Sequence, residues 1–208
     1  MIEYFYSAHS AFAYLGSRRF IEIARAAGRE IRHKPYDLRR GVVGVGSTPT
    51  GSRPGNHRAY FFGREIQRWS ELREAPVVQG MPTHHFNDIA LPNRLLIAAQ
   101  ARALDVDKLA HALLQAHWRD DADLADPRTL SDLAEALDMP GTELLDEARG
   151  DAATAEYEAN TEEAIRRSVF GSPTYFVNGD MFYGQDHLEM VERALVRPFR
   201  GSWPPART

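Results

Sequence analysis

The pattern of apolar and polar residues near the N-terminus predicts a strand, then a helix, then a second strand. All of residues 2–6 except Glu3 are aromatic or β-branched, which is typical of a short buried strand. Ser10 then precedes apolar residues at roughly helical spacing, and the run stops at Gly28, so a helix with a serine N-cap is predicted. Residues 31–35 predict a second strand. Because a helical crossover joins parallel strands, the pattern indicates a right-handed βαβ unit.

The middle of the chain changes from glycine-rich to helical. Several glycines and prolines between residues 38 and 55 predict a long loop, since regular elements rarely tolerate them together. Beyond the loop the apolar periodicity predicts helices over residues 56–72, 93–104, 107–118, 127–137 and 151–167. These helices form an insertion rather than a second series of βαβ units.

The C-terminal part predicts a hairpin and a last helix. Residues 174–177 and 181–183 are rich in aromatic and β-branched residues, and Asn178-Gly179 between them is a strong hairpin signal. A final helix is predicted over residues 186–195, followed by an irregular tail over residues 198–208. The complete order, βαβ, then helices, then ββα, predicts an α/β sandwich.

Composition narrows the classes of partner. The formal net charge of -4 gives no overall positive field, so we expect no nucleic-acid partner. The chain has no apolar run long enough to span a membrane and no signal-peptide pattern at its start, so we expect a cytoplasmic protein without membrane contact. Cysteine is absent, which excludes disulfides and a cysteine nucleophile. A reacting thiol must therefore come from a ligand.

Two neighbouring polar residues are the first candidates for chemistry. Ser10 begins a predicted helix, where free N–H groups and the helix dipole favour an anion and lower the pKa of a bound thiol. An ordinary N-cap role is the alternative. His9 is a candidate general acid or base, because the ordinary pKa of histidine is close to neutral; a solvent-facing histidine at a strand end is the alternative. His84, His85 and Asp88 lack the spacing of a metal site, so no metal is expected.

Two segments carry a family resemblance. Residues 4–15 are similar to an aromatic strand followed by a serine-containing turn, and residues 169–177 are similar to a segment built around a cis-proline, Pro173. Together with Gly184-Gln185-Asp186 and a weaker match over residues 38–69, they resemble the 2-hydroxychromene-2-carboxylate isomerases and kappa-class glutathione transferases. The resemblance implies a thioredoxin-like fold with a large all-helical insertion. Residues 1–38 and 168–208 would form the thioredoxin-like domain, and residues 39–167 the loop and helical insertion.

The resemblance also implies a cofactor and a reaction. Glutathione is the implied cofactor, an aromatic or unsaturated 2-oxo acid the implied substrate, and a homodimer one implied assembly. In this interpretation the Ser10 hydroxyl activates the glutathione thiol. The implied cofactor contacts are Ser10, Ser172, Pro173, Gln185 and Asp186, and the candidate substrate contacts are Phe12, Arg39, Arg40, Arg53 and Trp69.

The sequence departs from the family pattern at several positions. Ala11 and Ala13 replace a proline and a serine, and His9 replaces an apolar residue. Val42 occupies the position of a lysine that helps to hold the substrate in the isomerases. Isomerisation by reversible thiolate addition is the leading interpretation. Glutathione conjugation to an electrophile, and a non-catalytic peptide-binding protein, are the alternatives.

Overall fold

The computed structural model describes residues 1–201 and 203–204, and within them a four-stranded mixed sheet forms the centre of the fold. Its strands are β1 (Ile2–Tyr6), β2 (Ile31–Pro35), β3 (Thr174–Val177) and β4 (Asp180–Tyr183). Their spatial order is β2-β1-β3-β4. β1 pairs in parallel with β2 and antiparallel with β3, while β4 pairs antiparallel with β3. All four strands lie where the hydrophobic pattern predicts them, and the thioredoxin-like fold class is confirmed.

Helices cover both faces of the sheet and fill the segment between its two halves. They are α1 (Ala11–Ala26), α2 (Leu38–Gly44), α3 (Gly55–Ala59), α4 (Glu65–Leu72), α5 (Ala90–Ala101), α6 (Val106–Asp120), α7 (Pro127–Glu135), α8 (Gly141–Arg149), α9 (Asp151–Arg166) and α10 (Leu188–Val196). A π-helical turn, Tyr60–Arg64, joins α3 to α4, and 3-10 turns cover Thr50–Ser52 and Gln185–His187. None of the helices in the described residues is long and apolar enough to cross a membrane.

Alternating side chains of β1 divide the core into two layers. Tyr4 belongs to the larger cluster and contacts Phe20 of α1, with ring centroids 4.8 Å apart. Phe5 points to the other face, where it packs with Phe176 and with Ala164 of α9. Since successive side chains of a strand point to opposite faces, five residues suffice to anchor helices on both sides. This arrangement fixes the β1–α1 connection against the start of β3.

The predicted loop over residues 38–55 is wrong in its first half, which forms α2. Asp37 is the N-cap of this helix, and its carboxylate accepts the N–H of Arg40 at 3.0 Å. Gly41 and Gly44 are present for close packing: an added Cβ would lie 2.6 Å from the Tyr36 ring and 2.7 Å from Ile165, respectively. The glycines that indicated a loop therefore allow α2 to lie directly against its neighbours.

Several helix boundaries also differ from the prediction. The π-helical turn interrupts the helix predicted over residues 56–72, and α5 begins at Ala90, before the predicted start at residue 93. The sequence analysis predicts no helix between residues 137 and 151, yet α8 forms there and buries its apolar face through Leu144 and Ala148. The last α-helix begins at Leu188, after a 3-10 turn.

Candidate active site

The loop before α1 and the loop before β3 meet at the N-terminus of α1. Ser10 caps α1: its Oγ accepts the N–H of Ala13 at 3.3 Å and donates to the backbone oxygen of Ser172 at 3.0 Å. The N–H of Ser7 donates to Oγ of Ser172 at 3.1 Å. The Ser172–Pro173 peptide bond is cis. Two segments more than 160 residues apart in sequence are thus joined around one helix terminus.

A cavity of about 480 Å³ opens beside this junction. Its wall is largely apolar, and Phe12 of α1 meets Phe61 edge-on within it, with ring centroids 5.7 Å apart. The other apolar lining residues include Leu38, Val42, Phe62, Phe86, Trp118 and Phe170. A volume of this size suits a small organic ligand, and a few polar groups among apolar walls are typical of such sites.

Two arginines give the cavity a positive charge. The guanidinium of Arg39 donates to the backbone oxygens of His85 and Asn87 at 3.1 and 3.0 Å, and Arg53 Nε donates to the Thr48 oxygen at 3.3 Å. Within the described part of the chain, neither guanidinium forms a salt bridge with a carboxylate. A carboxylate ligand would therefore meet cations that are held in place but not neutralised.

His9 also lines the cavity, but it is buried, so the alternative of a solvent-facing histidine is wrong. Its Nδ1 lies 2.9 Å from Oγ of Ser7, and its backbone oxygen accepts the indole N–H of Trp118 at 2.8 Å. Burial, with further contributions from His85, Arg39 and His117, holds the pKa of His9 well below its ordinary value. His9 is therefore neutral at neutral pH, which suits hydrogen bonding better than proton donation.

Two candidate substrate contacts do not line the cavity. Arg40 Nη1 forms an ion pair with Glu158 of α9 at 2.5 Å, so its charge is already matched. Trp69 packs against the larger core cluster, and the guanidinium of Arg73 lies 5.3 Å from the centroid of its ring. Both positions are explained by contacts within the protein.

The two candidate cofactor contacts after β4 also lie outside the cavity lining. Gln185 is buried, and its Oε1 accepts the Nε–H of Arg73 at 3.3 Å. Asp186 is about half exposed and does not cap α10. Burial raises the pKa of Tyr183, Arg53 lowers it, and the charge of Asp186 makes a smaller contribution that raises it. Tyr183 itself lines the cavity.

Sequence reasoning missed Asn93, which supports the whole β1–α1 connection. Asn93 is fully buried, its Oδ1 accepts the N–H of Ala8 at 2.9 Å, and its Nδ2 donates to Oγ of Ser7 at 3.1 Å. The signal in the sequence was a lone asparagine inside the apolar stretch of α5. Nδ2 also donates to the backbone oxygen of Ile89 at 2.7 Å within α5, but the two partners in the β1–α1 connection are 85 or more residues away.

Sequence reasoning also missed His85 as a cavity residue. The centroid of its ring lies 5.0 Å from the ring centroid of His9 and 5.3 Å from that of His117. Despite this clustering, no group of three or more His, Asp or Glu residues with the arrangement of a metal site occurs among residues 1–201 and 203–204.

The fold and the site together define a thioredoxin-fold protein with a small-molecule cavity at the N-terminus of α1. A family model described as the DSBA-like thioredoxin domain matches residues 1–196, and the chain belongs to this family.

Comparison with curated proteins and solved structures gives the class of activity. The 2-hydroxychromene-2-carboxylate isomerase of Pseudomonas sp. (strain C18) is 29% identical over 94% of this chain and 90% of its own length. The isomerase of the same name from Pseudomonas putida is 27% identical over 95% of each chain. A solved structure of a 2-hydroxychromene-2-carboxylate isomerase has a TM-score of 0.80 at 26% identity, covering 94% of each chain. These relatives support an isomerase.

Proposed function

We propose that this protein is a glutathione-dependent isomerase of the 2-hydroxychromene-2-carboxylate type. The observation that carries the proposal is the junction of Ser10 and Ser172 in the lining of a largely apolar cavity that Arg39 and Arg53 also line. An anionic aromatic substrate needs an apolar wall and a cation, and a thiolate needs a helix N-terminus and a hydroxyl donor. The isomerase relatives add independent support.

The residues at the junction fit glutathione. α1 has 16 residues, so its N-terminus carries the full partial charge of a long helix. The backbone oxygen of Ser172 now accepts the Ser10 hydroxyl, and it is also the acceptor that an extended tripeptide would use. When a ligand N–H takes that oxygen, the Ser10 hydroxyl becomes free to donate to a sulfur atom. Ser10 thus stabilises the thiolate and is not itself a nucleophile.

The chemistry divides between cofactor and protein. When bound, glutathione supplies a thiolate for reversible addition to a conjugated double bond, which permits rotation about that bond. Arg39 and Arg53 hold the substrate carboxylate, and the aromatic wall with Phe12 and Phe61 holds the ring and excludes water. A dithiol reaction of the protein itself has no basis, because the sequence has no cysteine.

Glutathione transfer to an electrophile is the second candidate, favoured by one observation. Val42 lines the cavity, and the family resemblance aligns it with a lysine that helps to hold the substrate in the isomerases. Conjugation uses the same thiolate but ends in a stable thioether. A non-catalytic peptide-binding role would use the Ser172 backbone without any shift in the pKa of a thiol.

One experiment separates these three activities. Native protein is titrated with glutathione while the ultraviolet absorbance of the thiolate is followed, and it is then supplied with 2-hydroxychromene-2-carboxylate. An isomerase lowers the thiol pKa and returns free glutathione with the ring-opened trans product. A transferase accumulates the conjugate instead. Absence of thiolate formation at neutral pH contradicts both enzyme proposals and favours the binding role.

A further inference from the structure

A chain of hydrogen bonds from the Ala122 backbone oxygen through His117 to His85 determines which nitrogen of each histidine carries the proton. Nδ1 of His117 lies 3.2 Å from the backbone oxygen of Ala122, and Nε2 of His117 lies 3.0 Å from Nδ1 of His85. A carbonyl oxygen only accepts, so His117 carries its proton on Nδ1, and the neutral ring offers Nε2 as an acceptor. Nδ1 of His85 must therefore be the donor. The remaining nitrogen of His85, Nε2, keeps an unshared electron pair.

Both rings are neutral under ordinary conditions, as this assignment requires. Burial is the largest cause that lowers the pKa of His117. Burial, followed by the influence of His117 and Arg39, lowers the pKa of His85 to about 4. Among the other titratable and charged groups, Arg39 lowers the pKa of His85, while Asp121 and Asp123 raise and His84 lowers the pKa of His117. The neighbouring His9 ring also faces the pair.

The free nitrogen of His85 is accessible from the cavity. His85 lines the cavity. In the described part of the chain its Nε2 has no hydrogen-bond partner and is not a buried atom, so it is exposed to solvent. The ring packs edge-on against Trp118, with centroids 5.3 Å apart, and Arg39 holds the His85 backbone oxygen. These contacts fix both the position and the orientation of the imidazole at the wall that we assign to the substrate.

We propose that His85 is a catalytic base that opens the ring of the substrate, an inference that rests on the proposed function. A 2-hydroxychromene-2-carboxylate is a cyclic hemiketal, whose ring must open before the double bond can rotate. Nε2 of His85 takes the proton of the hemiketal hydroxyl as the bond from that carbon to the ring oxygen breaks. The products are a ketone and a phenolate, and the His85 imidazolium returns its proton to the phenolate. No oxidant or further reactant is needed.

His117 acts through His85 and is a positioning residue. Its Nε2 holds the His85 Nδ1–H, and this contact leaves the lone pair on the nitrogen that is accessible from the cavity. His117→Phe removes the acceptor, whereas His117→Gln retains an amide oxygen at a similar reach. The two variants therefore separate loss of the hydrogen bond from loss of volume.

The first test reads the tautomers directly and needs no glutathione. Nitrogen-15 NMR of the imidazoles should show His85 and His117 with the proton on Nδ1, and His117→Phe should change the tautomer of His85 while His117→Gln preserves it. A native His85 with its proton on Nε2 would overturn the proposal.

The second test separates ring opening from rotation. Native protein, His85→Gln and the neighbouring control His84→Gln are assayed with glutathione on two compounds: 2-hydroxychromene-2-carboxylate and the cis isomer of 2-methoxybenzylidenepyruvate, which is already open and cannot close. His85→Gln should lower kcat on the chromene by about 10²-fold or more, the usual range for loss of a general base, and leave turnover of the methoxy compound unchanged. His84→Gln should match the native protein on both.

The alternative outcomes are distinct. Unchanged chromene turnover in His85→Gln refutes the role of His85, and equal losses on both compounds assign the residue to binding or folding instead. Native protein that forms no thiolate and converts neither compound refutes the proposed function itself.

Discussion

Replacing Ser10 by alanine tests the centre of the proposed site. The Ser10 hydroxyl caps α1 and bonds to the Ser172 oxygen at 3.0 Å. Loss of a serine N-cap costs about 1 kcal/mol and loss of one further hydrogen bond about 1 kcal/mol, so we expect the free energy of unfolding to fall by ~2 kcal/mol. Urea unfolding measures this change. The protein should remain folded, because the cap and bond are a small part of an ordinary domain stability.

The same substitution should raise the pKa of bound glutathione. A hydrogen bond to a charged group contributes roughly 1.5–3 kcal/mol, and one pKa unit corresponds to about 1.4 kcal/mol. Ser10→Ala should therefore raise the thiol pKa by about 1–2 units, while the helix dipole retains part of the effect. Ultraviolet titration of the thiolate across pH measures the shift in native protein and in the variant.

Ser17→Ala is the matched control for this experiment. Ser17 is buried in the same helix, and it does not line the cavity. Its hydroxyl donates to the Tyr14 oxygen at 2.8 Å and lies 2.8 Å from Nδ1 of His111. Loss of these two bonds should lower the free energy of unfolding by about 2 kcal/mol without changing the thiol pKa. Equal thiol pKa values in native protein and Ser10→Ala would refute the argument, and so would an equal shift in Ser17→Ala.

Three further substitutions test the rest of the site. Arg39→Met should raise KM for the carboxylate substrate about 10-fold, the equivalent of ~1.4 kcal/mol, in steady-state kinetics, whereas the ion-paired Arg40→Met should not. Asn93→Ala leaves a buried backbone N–H without an acceptor, so urea unfolding should show a loss of about 2–4 kcal/mol, and a loss below 1 would contradict the assigned hydrogen bonds. His85 has a pKa lowered from 6.5 to about 4, so the unfolded chain binds more protons in this interval and stability should fall as pH drops through it. His85→Gln should weaken that dependence in pH-dependent unfolding, and His84→Gln should not.

Local sequence determined the elements that depend on neighbours in the chain. The strand β1 needs only its run of aromatic residues, and the start of α1 needs only Ser10 before an apolar periodic segment, since a cap bonds within its own first turn. The hairpin of β3 and β4 follows from Asn178-Gly179, both of which adopt positive φ. Such features can be predicted from the sequence because their energies arise within a few residues.

The glycines of α2 show which features cannot be predicted from local sequence. Gly41 and Gly44 predict a loop, but both lie in α2. Glycine occupies these positions because Tyr36 and Ile165 leave no room for a Cβ. A sequence reports that a side chain is missing and not which neighbour needs the space. The length and start of α5 and the existence of α8 were likewise decided by burial against other helices.

The sequence by itself determined the fold class, the strand pattern and the serine at the helix terminus, whereas the tertiary structure decided which side chains surround it. Arg39 and Arg40 are adjacent, yet one reaches the cavity and the other pairs with Glu158. His85 and Asn93 become site residues through partners at least 32 residues away in sequence. The physical reason is that caps and turns are satisfied within one turn of chain, while a cavity is assembled from side chains that only long-range packing brings together.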